Sequence, residues 1–73
     1  MLLHQLAKMT PSTTPIRIYE QGKPYKPLVS LIYSDSLSKS RFRLNDEVVG
    51  FSAQIIDGVA YLVITLEGDE IDG

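Results

Sequence analysis

The 73-residue sequence predicts a small α+β domain: a mostly antiparallel sheet of about three or four strands with a C-terminal Asp-Gly β-hairpin and one or two short helices. Three observations carry that expectation. Asp57-Gly58 sits between two apolar-alternating runs, and a type I′ turn needs positive φ at both central residues, which Gly adopts without strain. Ile16-Arg17-Ile18-Tyr19 alternates with the period of a half-buried strand. Leu2, Leu3, Leu6 and Met9 recur at helical spacing.

Taken in order, residues 2 to 9 make a helix of about two turns that Thr10-Pro11 stops. A helix that short is marginal alone, so it is expected to dock on the sheet through those four apolar residues. Ser12 to Pro15 is a polar connector. Ile16 and Ile18 then point inward from a strand, and Gln21-Gly22-Lys23 turns. Pro24 and Pro27 cannot donate ladder hydrogen bonds, so the segment from Tyr25 runs along an edge or is irregular. Leu28 to Tyr33 is a continuous apolar run, buried on both faces or facing a partner on one. Ser34 to Leu44 is read as a short helix beginning near Ser36, with Ser34 or Asp35 as its N-cap.

A two-residue loop at Asp57-Gly58 places Ile56 opposite Val59 and, moving outward, Val49 opposite Leu66. One face of that hairpin then holds Val49, Phe51, Ala53, Ile55, Ala60, Leu62, Ile64 and Leu66, which is the expected core face. The other face mixes Gly50, Ser52, Gln54 and Thr65 with Ile56, Val59, Tyr61 and Val63. Residues 1–66 are expected to form one domain and 67–73, with four acids in seven residues, a flexible acidic tail.

Composition narrows the chemistry. There is no Cys and a single His, so disulfides, thiolate metal sites and a histidine cluster have no residues to build on. His4 has no spaced Ser, Cys or second His to act with, and reads as a helix-flank residue. Asp69, Glu70 and Asp72 lack the spacing of a calcium loop. No cofactor is implied. Nine acidic against seven basic residues give a net charge of −2, which disfavours nucleic acid because phosphate binding draws on an excess of Lys and Arg. Lys39, Arg41 and Arg43 form the one basic cluster, with Asp35, Asp46 and Glu47 around it. The apolar runs fall short of the roughly 20 residues of a membrane span, and a cytoplasmic location is the expectation.

Leu2 to Met9, Ile16 to Tyr19, Glu47-Val48-Val49-Gly50-Phe51-Ser52 and Leu62-Val63-Ile64-Thr65-Leu66 together resemble a type of small α+β open reading frame found in phages and mobile elements of Gram-positive bacteria. The resemblance covers about half of the chain and implies a fold class and a phage setting, with no activity or site residues attached.

A non-enzymatic protein-binding module, a phage accessory protein or host-directed inhibitor, is therefore the functional expectation. The contact residues it points to are Tyr61, Val63, Ile56, Val59, Tyr33, Arg41 and Arg43, since exposed aromatic and aliphatic clusters mark interfaces. The Tyr61 and Val63 face is expected to meet a protein partner or form a homodimer, unless residues 34–44 fold back over it. The alternatives are a protein that binds or sequesters a nucleotide or other metabolite and, after it, a weak nucleic-acid binder.

Overall fold

The computed structural model describes residues 1–68. The elements run α1 (Leu3–Met9), β1 (Pro15–Glu20), β2 (Val29–Tyr33), α2 (Ser34–Lys39), β3 (Val48–Ile56) and β4 (Val59–Leu66). The protein is α+β, with two helices and a four-stranded sheet of order β2-β1-β4-β3. That sheet is mixed rather than mostly antiparallel. β1 pairs antiparallel with β2 and β4 antiparallel with β3, but β1 and β4 run parallel, with Ile16 beside Leu62, Ile18 beside Ile64 and Glu20 beside Leu66.

Both helices lie on one face. Leu3, Leu6 and Ala7 of α1 and Leu37 of α2 pack on Ile16 and Ile18 of β1 and on Ile64 and Leu66 of β4. Alternation along β1 gives this result directly, because Ile16 and Ile18 share one side of the pleat. Phe42 and Leu44, from the segment between α2 and β3, fill in beside them. Of the helical residues expected to dock, Leu2 is half-buried and Met9 lies exposed. The α1 helix ends at Thr10, whose Oγ1 donates to the Leu6 carbonyl at 2.8 Å, and Pro11 cannot continue it.

The α2 helix starts earlier than its composition suggests, at Ser34, with Tyr33 as its N-cap and no side-chain capping bond. Its first N–H groups find backbone acceptors instead. Ser34 N donates to the Thr14 carbonyl and Asp35 N to that of Ser12, each at 3.0 Å. The connector before β1 thus does the work of a cap, satisfying donors that a helix start leaves without intrahelical partners.

Ile56 stands opposite Val59, and the two strands stay in step down to Gly50 opposite Thr65. Asp57 and Gly58, between them, have φ of 52° and 80°. Beyond Gly50 the register shifts, so Val48 and not Val49 faces Leu66. The expected core face is half wrong. Ile64 and Leu66 are buried, but Phe51 is 55% and Ile55 77% exposed, and Val49, Ala53 and Ala60 are exposed as well. The reason is coverage: the buried core joins the helices to β1 and β4, which leaves β3, the edge strand beyond β4, open on that side. Residues 54–61 also extend past the pairing of β4 with β1, which begins at Leu62, as a two-stranded arm.

Gly68 closes the described chain against the Gln21 carbonyl, after Glu67 N donates to the Glu47 carbonyl at 2.9 Å. The rest of the expected acidic tail, Asp69, Glu70 and Asp72 included, lies outside the described residues.

Candidate functional site: the uncovered face of the sheet

With both helices on one side, the other face of the sheet is bare. Its side chains follow from the same alternation that buries Ile16 and Ile18: Arg17 and Tyr19 from β1, and Tyr61, Val63 and Thr65 from β4, stand on the opposite side. In β2 the register slips between Ile32, opposite Ile16, and Val29, opposite Ile18. Ser30 and Leu31 therefore both oppose Arg17, a bulge of two residues against one. Leu31 and Tyr33 are each half exposed, so the apolar run of β2 is covered on its inner side alone.

Arg17 organises the centre. Its guanidinium carbon lies 5.2 Å from the centroid of the Tyr61 ring, a cation–π separation. Its Nε donates to the Ser30 carbonyl at 3.2 Å, an acceptor within the bulge. The Tyr19 hydroxyl, and after it that of Tyr61, raise the Arg17 pKa above its ordinary value against the opposing effect of desolvation. The guanidinium is thus held by the Tyr61 ring and the Ser30 carbonyl.

Beside this stack, a depression of about 640 Å³ opens where residues 20–24 rise at the margin of the sheet. Tyr19, Val63 and Thr65 form its floor, with Glu20, Gly22 and Val49 at its rim. The volume falls among those of ligand clefts. Its polar content is thin, however: the Glu20 carboxylate is taken by Lys23 at 3.3 Å and by Arg43 at 3.6 Å.

The expected contact residues divide. Tyr61 is at the centre of the bare face. Val63 is 8% exposed and serves as floor rather than as an anchor. Ile56 and Val59 form the closing pair of the arm, and Tyr33 sits at the far end of β2 beside Ser12, Thr13 and Asp35. Arg41 and Arg43 are not part of this face. Arg43 is held by Asp46 through Nε and by Glu20, and Lys39 by Asp35 at 3.3 Å. The basic cluster is therefore largely neutralised where it stands. Residues 34–44 do not fold over the Tyr61 face, because Leu37 is buried in the core on the other side. Arg17 is the face residue that sequence reasoning misses, while Leu31 belongs to the apolar run from Leu28 to Tyr33 whose outer side is open to a partner. The alternation of Ile16 to Tyr19 places Arg17 and Tyr19 outward, but nothing local puts them beside Tyr61.

Among the described residues no three His, Cys, Asp or Glu side chains gather as a metal site, and no helix is long and apolar enough to cross a membrane. No family model, no curated protein and no solved structure matches the chain.

Proposed function

We propose that the protein is a non-enzymatic binding module that takes a protein partner across the uncovered face of its sheet. The observation that supports this reading is the Arg17–Tyr61 stack, flanked by Tyr19 and Leu31, on a face that neither helix covers. Arg and Tyr are enriched among the residues that carry binding energy at interfaces. Both are preorganised here, which limits the side-chain entropy lost on docking. A phage accessory protein or a host-directed inhibitor is the setting that fits the resemblance of the sequence. The experiment is affinity capture from a bacterial lysate, followed by titration of the captured protein in purified form against wild type, Tyr61→Ala and Arg17→Ala. Loss of affinity in both variants, with melting temperatures unchanged, supports the reading. A partner bound equally well by all three overturns it.

A second reading rests on the depression beside Tyr19: a small metabolite or nucleotide bound there. Thermal-shift screening tests it, since a ligand at 100 times its dissociation constant adds about 2.7 kcal/mol of stability. A shift abolished by Val63→Trp, which fills the floor, would favour the metabolite over the protein partner.

A further inference from the structure

We propose that two copies of this chain join along the outer edge of β3, turning two four-stranded sheets into one continuous sheet with a two-fold axis at Ala53. The inference does not depend on the Tyr61 face, and it commits to a second copy as the occupant of that edge.

Strand order leaves β2 and β3 as the two edges. β2 is protected in the usual ways: it is five residues long, bulged opposite Arg17 and preceded by Pro24 and Pro27. β3 has nine residues with no charge and no proline. Its first residue is covered, because Val48 N donates to the Met1 carbonyl at 2.8 Å and Leu2 bridges Glu47. From Gly50 to Ile56 the strand has a neighbour on the β4 side alone.

The ladder then says which groups are free. In a two-residue hairpin the closing pair, Ile56 with Val59, is hydrogen-bonded, and bonded and non-bonded pairs alternate from there. Gln54, Ser52 and Gly50 therefore turn their N–H and C=O toward β4, whereas Ile55, Ala53 and Phe51 turn theirs to the open edge. These are the same three residues whose exposed side chains share the helix-side face.

Only the two-fold register centred on Ala53 pairs all three among themselves. Centring on Ser52 sets Ile55 against Val49 at the register shift, and centring on Gln54 sets Phe51 against Asp57 in the turn. With Ala53 opposite Ala53, Phe51 of each copy faces Ile55 of the other, an aromatic pair with a β-branched residue, and on the reverse face Ser52 meets Gln54. The charges also agree: Asp57 falls opposite Val49, and no like charges are opposed along the overlap. Centring on Phe51 instead sets Ile55 against Glu47, and centring on Ile55 sets Asp57 against Ala53. The pairing is self-complementary, as a two-fold contact requires. It also gives the projecting arm, residues 54–61, the neighbour it lacks, since a lone two-stranded ribbon is marginal in water.

The test is light scattering combined with cysteine cross-linking on a chain that contains no Cys of its own. Wild type is expected at twice its 8.1 kDa mass at high micromolar concentration. Ala53→Lys, which places like charges directly opposite each other, is expected to be a folded monomer by circular dichroism. Under mild oxidation Ala53→Cys is expected to cross-link to itself. Ile55→Cys, four residues out of step with its own copy, is expected not to, although a mixture of Phe51→Cys and Ile55→Cys does. A monomeric wild type overturns the proposal, as does a dimer in which Ile55→Cys self-links as fast as Ala53→Cys. Partner binding by monomeric Ala53→Lys leaves the open-face function standing whichever way this result falls.

Discussion

The Ser34 hydroxyl donates to the carbonyl of Ala7 across 2.9 Å, tying the first residue of α2 to the last turn of α1 inside the core. Ser34 is 1% exposed and is the buried polar residue of the described chain. Removing a partner from a buried hydrogen bond costs about 1–3 kcal/mol. Ala7 keeps a second donor, Thr10 N at 3.3 Å, which places Ser34→Ala near the lower end. Urea unfolding should report a loss of about 1 kcal/mol with an unchanged m-value.

Ile64 and Phe51 are cross-strand neighbours on one face, yet they should respond very differently to truncation. Ile64 is fully buried, and Ile64→Ala should cost about 2–5 kcal/mol, enough to unfold a domain whose single core supplies only about 3–5 kcal/mol. Phe51 is more than half exposed, so Phe51→Ala should remove less than about 1.5 kcal/mol when measured at concentrations too low for association. Equal losses at the two positions would mean that the helices reach further along the hairpin than described.

That contrast marks the boundary of what is legible in the sequence. Alternation assigns Ile16 and Ile18 to one face because five residues suffice to reveal a period of two. The same rule groups Phe51, Ala53 and Ile55 with Ile64, but which part of a face is covered depends on how far two short helices extend, and that is a matter of packing. The parallel pairing of β1 with β4 is likewise absent from any local pattern. So Tyr61 and Arg17 are each readable as outward residues, while their meeting, which follows from the parallel pairing of β1 with β4, is not. The early start of α2 is hidden for a similar reason: its capping acceptors come from Ser12 and Thr14, distant in the chain.

At the tip of the arm, a side chain at Gly58 would meet nothing within 4 Å, so space is not the issue. Its φ of 80° is. Gly58→Ala should cost about 1–2 kcal/mol through the left-handed conformation alone, and Gly58→Val more, because its branched Cβ tolerates positive φ less well. Thermal unfolding of the two variants beside Gly58→Asn should rank them Asn, Ala, Val from least to most damaging.

Arg43 also has positive φ, 43°, and is not a glycine. Its ion pairs with Asp46 and Glu20 hold that conformation at a partly exposed site, where each pair contributes at most about 1 kcal/mol. Arg43→Ala loses the pairs and keeps the backbone strain, whereas Arg43→Gly loses the pairs and relieves it. Gly should be the more stable by about 1 kcal/mol in equilibrium unfolding, an inversion of the usual preference for Ala over Gly.

Synthesis order has a bearing on the parallel pairing of β1 with β4. The first strand and the last are central neighbours, so a nascent chain that has released α1 through β3 still lacks the strand that joins Ile16 and Ile18 to the hairpin. Until Val59 to Leu66 emerges, the apolar faces of Leu3, Leu6, Ile16 and Ile18 have only the two-stranded ladder of β1 and β2 to close over. Assembly therefore waits for the end of translation of these elements, and the pairing that completes it bridges distant parts of the chain, a topology that folds slowly for its size. During that interval the unfinished molecule is a client for whatever in the cell shields exposed hydrophobic chain.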